Sequence, residues 1–187
     1  MIELKNVKKY YGSPAIGLIR VNAEIKAGEI AGILGENGSG KTTLLKAIMG
    51  LTELTEGEVL IDGRPPVERY HEMAYITEEG SYFPEMTPQE YGEFLSVFFE
   101  TFDMARYRKL LKFFDLEELK KIRTFSNGQK AKLEISAGFA KRARYILMDE
   151  PFLGKDMLTR RDFLRLMISS LREGQTILIS THQDGLP

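Results

Sequence analysis

Gly35-Glu36-Asn37-Gly38-Ser39-Gly40-Lys41-Thr42 is the stretch on which the fold turns. It fits the pattern G-x4-G-K-[ST], and its surroundings are those the pattern needs. Before it, residues 29–34 read as an apolar strand. After it, residues 42–49 read as a helix with Leu44, Leu45, Ile48 and Met49 on one face, and Gly50 stands where a left-handed cap ends helices. Strand, glycine-rich loop and helix in that order turn successive backbone N–H groups inward around phosphate oxygens, and the helix N-terminus adds its partial positive charge there. Lys41 supplies a point charge for β- and γ-phosphates, and the Thr42 hydroxyl is placed to ligate Mg2+. A chance glycine-rich turn is the competing reading; the agreement of pattern with context speaks against it.

Outward from this loop the chain reads as one ordinary globular domain. It has 187 residues, 43% hydrophobic and 28% charged, enough for a real core. Its 26 Lys+Arg against 27 Asp+Glu leave a net charge of −1, so no strongly basic nucleic-acid surface is indicated. The absence of cysteine excludes disulfides, thiolate metal sites and a cysteine nucleophile, and fits a reducing compartment. The first residues lack the apolar core of a signal peptide, and no stretch approaches the roughly 20 apolar residues of a spanning helix. Any service to a membrane is therefore expected to run through a partner.

Residues 1–7, 16–24, 59–62 and 72–77 read as further strands. From 87 to about 122 the pattern is helical. Thr87-Pro88-Gln89-Glu90 is a capping box with proline at the first helical position, and Tyr91, Phe94, Leu95, Phe98 and Phe99 then recur at helical spacing, most simply as core. A second helix is expected from about 126 to 140 and an amphipathic one over 160–172, with a last strand over 176–180. Strands alternating with helices predict an α/β fold with a mostly parallel sheet covered on both faces.

Tyr145-Ile146-Leu147-Met148 is an apolar strand that delivers two adjacent acids, Asp149 and Glu150, followed by Pro151. Alone this is weak, because buried strands often end in a charge. In a chain with a phosphate loop, Asp149 suits the Mg2+ shell and Glu150 suits orienting and deprotonating an attacking water. Ser126 followed by Asn127 and Gly128 at a helix start offers a second anion site, with a hydroxyl and free N–H groups at the positive end of a helix dipole. A plain helix cap would look similar.

Taken in order, these motifs resemble the nucleotide-binding subunits of ATP-binding-cassette (ABC) transporters over nearly the whole chain. Phe125-Ser126-Asn127-Gly128-Gln129 resembles the family's signature, usually LSGGQ, with Phe for Leu and Asn for the first Gly. The resemblance implies a single ABC ATPase domain over 1–187: a P-loop NTPase core with a mostly parallel sheet, an antiparallel β region, and a helical subdomain at about 78–145. It implies ATP and Mg2+ as cofactors, with Gly35 to Thr42 and Thr43 around the phosphates. Ser126, Asn127, Gly128 and Gln129 would close over the ATP of a second ABC subunit, identical or not. Tyr11 matches the aromatic position that stacks on adenine; Tyr10 is the alternative, and either also suits covering the sheet. His182, after the last strand, matches the histidine that contacts the γ-phosphate and helps position the water, whereas His71 reads as a surface residue.

Two departures accompany the match. Glu78 stands where the family usually has the glutamine of its Q-loop, a carboxylate still suited to Mg2+ or its water, and one shared with several export subunits. Lys155 replaces an apolar residue in the D-loop, at the subunit junction. The sequence ends at Pro187, short of the elements family members usually carry past this point. The expected partner is an integral-membrane permease, with no nucleic acid, and the expected location is cytoplasmic, peripheral on the inner face of the cell membrane. Rival readings are a non-transport ABC ATPase in translation or DNA maintenance, a hydrolysis-poor regulatory subunit, and a small-molecule kinase using the same loop.

Overall fold

The computed structural model describes residues 1–12, 16–77, 80–151, 164–169 and 174–181. Two sheets and a helical layer share the chain. The first sheet is antiparallel, in the order β2 (Ile16–Ile25), β1 (Ile2–Tyr10), β4 (Glu56–Ile61). Its pleat buries Ile2 and Leu4, and a register shift at Asn6, whose φ is +51°, then flips the phase so that Val7 also points inward. The second sheet is parallel, in the order β3 (Ile30–Leu34), β7 (Thr176–Thr181), β6 (Tyr145–Asp149), β5 (Met73–Ile76).

Parallel sheets need cover on both faces, and alternate residues of β6 and β7 serve two different cores. Tyr145, Leu147 and Leu178 join Leu45 and Ile48 of α1 (Lys41–Ile48) and the antiparallel sheet. Ile146, Met148, Ile177 and Ile179 join the helical layer of α2 (Pro88–Phe98), α3 (Met104–Phe113) and α4 (Asn127–Ala140). Each fully buried Leu, Ile or Phe contributes roughly 1.5–3 kcal/mol.

The helix ends follow the sequence signals. Gly50 (φ +67°) donates to the Ala47 carbonyl at 3.0 Å and Leu51 donates to that of Lys46 at 2.8 Å, the paired bonds that satisfy the last carbonyls of α1. Thr87 caps α2 reciprocally with Glu90: its hydroxyl accepts the Glu90 N–H at 3.2 Å, and the Glu90 carboxylate accepts the Thr87 N–H at 2.7 Å.

The 87–122 region differs from expectation in two ways. It is two helices, α2 and α3, with a break between them in which Asp103 caps α3 through the Arg106 N–H at 2.8 Å. The aromatic stripe of α2 is also only half core. Tyr91 and Leu95 are buried, but Phe98 is 65% exposed; it packs against Phe94, which in turn meets Phe83 edge-on. Helical spacing identifies a face; it does not say how far along the helix that face is covered.

Candidate functional site

The parallel register brings the candidate residues to one edge. Leu34 at the end of β3 pairs with Thr181 of β7, and Ser180 of β7 pairs with Asp149 of β6. The loop of residues 35–40 and the acids Asp149 and Glu150 thus leave the same carboxyl edge, where open parallel sheets bind ligands. In the loop, Gly40 has φ +95°, and a Cβ there would sit 2.4 Å from the Gly17 carbonyl oxygen, so both conformation and space demand glycine. Lys41 is buried and turned back on its own loop, donating to the carbonyls of Gly35 at 2.8 Å and Glu36 at 3.0 Å. Its ammonium also lies 3.2 Å from Glu150 Oε1, so the predicted phosphate cation and the predicted base are an ion pair.

Asp149 is buried and fully engaged. Its Oδ1 accepts the Ser180 hydroxyl at 2.6 Å and its Oδ2 accepts the Tyr75 hydroxyl at 3.2 Å. Burial, and then the negative charge of Asp149, hold the Tyr75 phenol well above its usual pKa, so Tyr75 stays a donor. Ser180 Oγ also accepts the Glu150 N–H at 3.0 Å. That bond helps hold Glu150 at φ +48°, a strained conformation for a residue with a Cβ. Tyr75 and Ser180 carry no motif. Their only sequence signal is a polar group near the end of a short buried strand.

Tyr11, 55% exposed, lies beside the loop: its hydroxyl is 3.3 Å from Thr43 Oγ1, and Lys9 Nζ stands 5.1 Å from its ring centroid. A Cβ on Gly17 would meet the ring at 2.8 Å, so the ring rests on bare backbone. Tyr10 is also exposed, and the Thr55 hydroxyl accepts its backbone N–H at 3.0 Å. Ser126 is the N-cap of α4; its hydroxyl accepts the Gln129 N–H at 3.2 Å, and Gln129 Oε1 accepts the Ser126 N–H at 2.9 Å. Ser126 and Asn127 are exposed, with Gly128 and Gln129 half-buried. The body of α4 packs on the face of the parallel sheet opposite α1, so the structure does not bring the Ser126 segment together with the phosphate loop. His71 is exposed, as a surface residue should be. Glu78, Lys155 and His182 lie outside the described residues.

The donor set at the edge is hard oxygen: the exposed Thr42 hydroxyl and the Asp149 carboxylate, both oxygens of which already accept protein hydrogen bonds. Among the described residues no cluster of three or more His, Cys, Asp or Glu side chains is placed to hold a metal. Such a set suits an ion that brings most of its ligands along as phosphate oxygens and water, as Mg2+ does, and does not suit a permanently caged metal.

The family model described as ABC transporter matches residues 18–153. The chain is 34% identical over 189 residues to the ABC transporter ATP-binding protein YtrB of Bacillus subtilis (strain 168), an alignment covering 98% of this chain and 64% of that protein. It is 31% identical to the glutamine transport ATP-binding protein GlnQ of Escherichia coli (strain K12), covering 99% of this chain and 82% of that one. Among solved structures it superposes with TM-score 0.87, at 29% identity, on the ATP-binding cassette MJ0796 in a dimeric post-hydrolysis state bound to ADP and Pi, covering 98% of this chain and 88% of that one. The chain thus spans less than two thirds of the length of YtrB.

Proposed function

The chain belongs to the ABC transporter ATP-binding family, and on that premise we propose that it binds and hydrolyses ATP as a peripheral subunit of a membrane transporter. The observation that supports this reading is the Lys41–Glu150 ion pair, 3.2 Å long, at the carboxyl edge beside the glycine loop: a cation suited to phosphate next to a carboxylate suited to act as base. When ATP enters, Lys41 leaves the Gly35 and Glu36 carbonyls for the β- and γ-phosphates, and the loop N–H groups take the remaining oxygens. Tyr11 stacks on the adenine. Thr42 and Asp149 would hold Mg2+, which would neutralise phosphate charge, and Glu78 is the remaining candidate ligand.

Released from Lys41, Glu150 accepts a proton from a water as its oxygen attacks the γ-phosphorus; the bond to the bridging oxygen breaks, giving ADP and inorganic phosphate. His182 helps position that water. The Ser126 segment, carried on the opposite face of the sheet, serves a nucleotide on a second ABC subunit, and that chain's segment completes this one. Two chains therefore sandwich two nucleotides.

Among the described residues no helix is long and apolar enough to cross a membrane. We assign contact with an integral-membrane permease to the exposed Phe83 and Phe98, which meet across the half-buried Phe94, and place the subunit on the cytoplasmic face. The departure at Glu78 favours export. The test is Glu150→Gln with Mg-ATP, followed by light scattering and phosphate release. The expected result is retained ATP, an accumulated dimer, and hydrolysis lower by about 10²–10⁴. Unchanged steady-state hydrolysis rejects Glu150 as the base.

A further inference from the structure

The chemistry above makes no use of one buried carboxyl group on α4. Glu134 lies eight residues past the Ser126 cap and is only 5% exposed. Its Oε2 accepts the Ser81 hydroxyl at 2.9 Å, its Oε1 accepts the Tyr91 hydroxyl at 3.3 Å, and those two hydroxyls are 3.1 Å apart. This closed triangle joins α4, α2 and the segment that leaves β5. The nearby charge is Lys141, just past the end of α4; Tyr107 of α3 also senses the carboxylate. Burial pushes the Glu134 carboxyl up and the Lys141 ammonium down.

Packing alone does not ask for a carboxyl here. Leu133, Ile135, Ala137 and Phe139 on the same helix are buried and apolar, and an apolar residue at 134 would complete that layer without desolvating an acid. What the acid adds is a directional tie. The chain around β5 is tied twice: Tyr75 to Asp149 on β6, and six residues later Ser81 to Glu134 on α4.

We propose that Glu134 is a positioning residue for ATP hydrolysis: by holding Ser81 and Tyr91 it fixes the direction of α4, and so of the Ser126 end, relative to the edge that carries Asp149 and Glu150. The proposal rests on the ATPase reading above. Eight residues of helix are about 12 Å, so a pivot of about 5° at Glu134 moves the Ser126 end by about 1 Å, and misplacement of that size costs up to about 10² in rate.

The experiment measures ATP hydrolysis per bound nucleotide, and separately the affinity of a fluorescent ATP analogue at protein concentrations low enough to keep the chain monomeric. Glu134→Ala is expected to lower kcat about tenfold or more, with analogue affinity within about twofold of wild type. Glu134→Gln keeps an acceptor oxygen in place and is expected to recover kcat to within about threefold. Ser81→Ala, at an exposed position, is expected to lower kcat in the same direction and to cost nothing further when added to Glu134→Ala. Normal kcat per bound nucleotide in Glu134→Ala, a loss carried by affinity alone, additive single effects, or a Gln variant as damaged as the Ala variant each overturns the assignment. Should Glu134→Ala not fold, wild-type kcat in Ser81→Ala overturns it. A wild-type chain that neither binds nor hydrolyses ATP instead fails the functional reading itself, before any substitution is made.

Discussion

The loop between β3 and α1 and the start of α4 are the two proposed phosphate contacts, but they are held in shape differently. In the first, the shape is set by backbone: glycine at positive φ, a helix that begins at once, and the Gly17 carbonyl of β2 too close for any side chain. In the second, the cap is local but its direction depends on a triangle of hydroxyls around the buried Glu134 carboxylate, its members as much as 53 apart in sequence. A site set by its own backbone is rigid wherever it is placed. A site aimed through a distant side-chain contact can be redirected without being unfolded, which suits the one that must meet a second chain.

Substitutions separate the two cases. The largest effect is expected at Gly40→Ala, where the new Cβ would meet the Gly17 carbonyl; strain on the order of 3 kcal/mol lowers ATP affinity about 10²-fold by calorimetry. Near-normal affinity would show that the loop is less rigid than its contacts imply. Tyr11→Ala is next. Loss of one stacked base is worth about 1–3 kcal/mol, so affinity for ATP falls while affinity for inorganic triphosphate does not; equal losses for both ligands would remove Tyr11 from the adenine contact.

Ser126→Ala tests the second site. It removes a cap worth about 1 kcal/mol of stability and lowers hydrolysis, yet leaves ATP affinity of the isolated chain unchanged. A fall in that affinity would mean the segment serves its own nucleotide. The smallest effect concerns pH. Burial holds the Glu134 carboxyl above the usual range, so the native state keeps its proton more tightly than the unfolded chain. Stability is therefore lost as pH rises from about 4.3, the ordinary value, through the folded one. Glu134→Gln removes that slope, and its Tm should match wild type near pH 4 and exceed it at higher pH. Parallel curves would show that Glu134 ionises natively as it does unfolded.

The same contrast explains what could be read from sequence. The phosphate loop, the Thr87–Glu90 cap and the Ser126–Gln129 cap are complete within eight residues, so their chemistry stands in consecutive letters. Asp149 and Glu150 were legible for the same reason. Tyr75, Ser180 and Glu134 were not, because each acquires its role from a partner 31 to 74 residues away, and no local pattern distinguishes a tyrosine that meets an aspartate from one that covers a sheet. Phe98 shows the converse error: a regular spacing promised burial that nothing among the described residues supplies.

Because β6 and β7 are shared walls, with successive side chains committed alternately to opposite cores, neither layer can come apart alone. Stripping the helices would bare Ile146, Met148, Ile177 and Ile179 to water; stripping α1 and the antiparallel sheet would bare Tyr145, Leu147 and Leu178. Two chemically distinct interiors are in this way welded into one cooperative unit, and heat should dissolve them in a single transition.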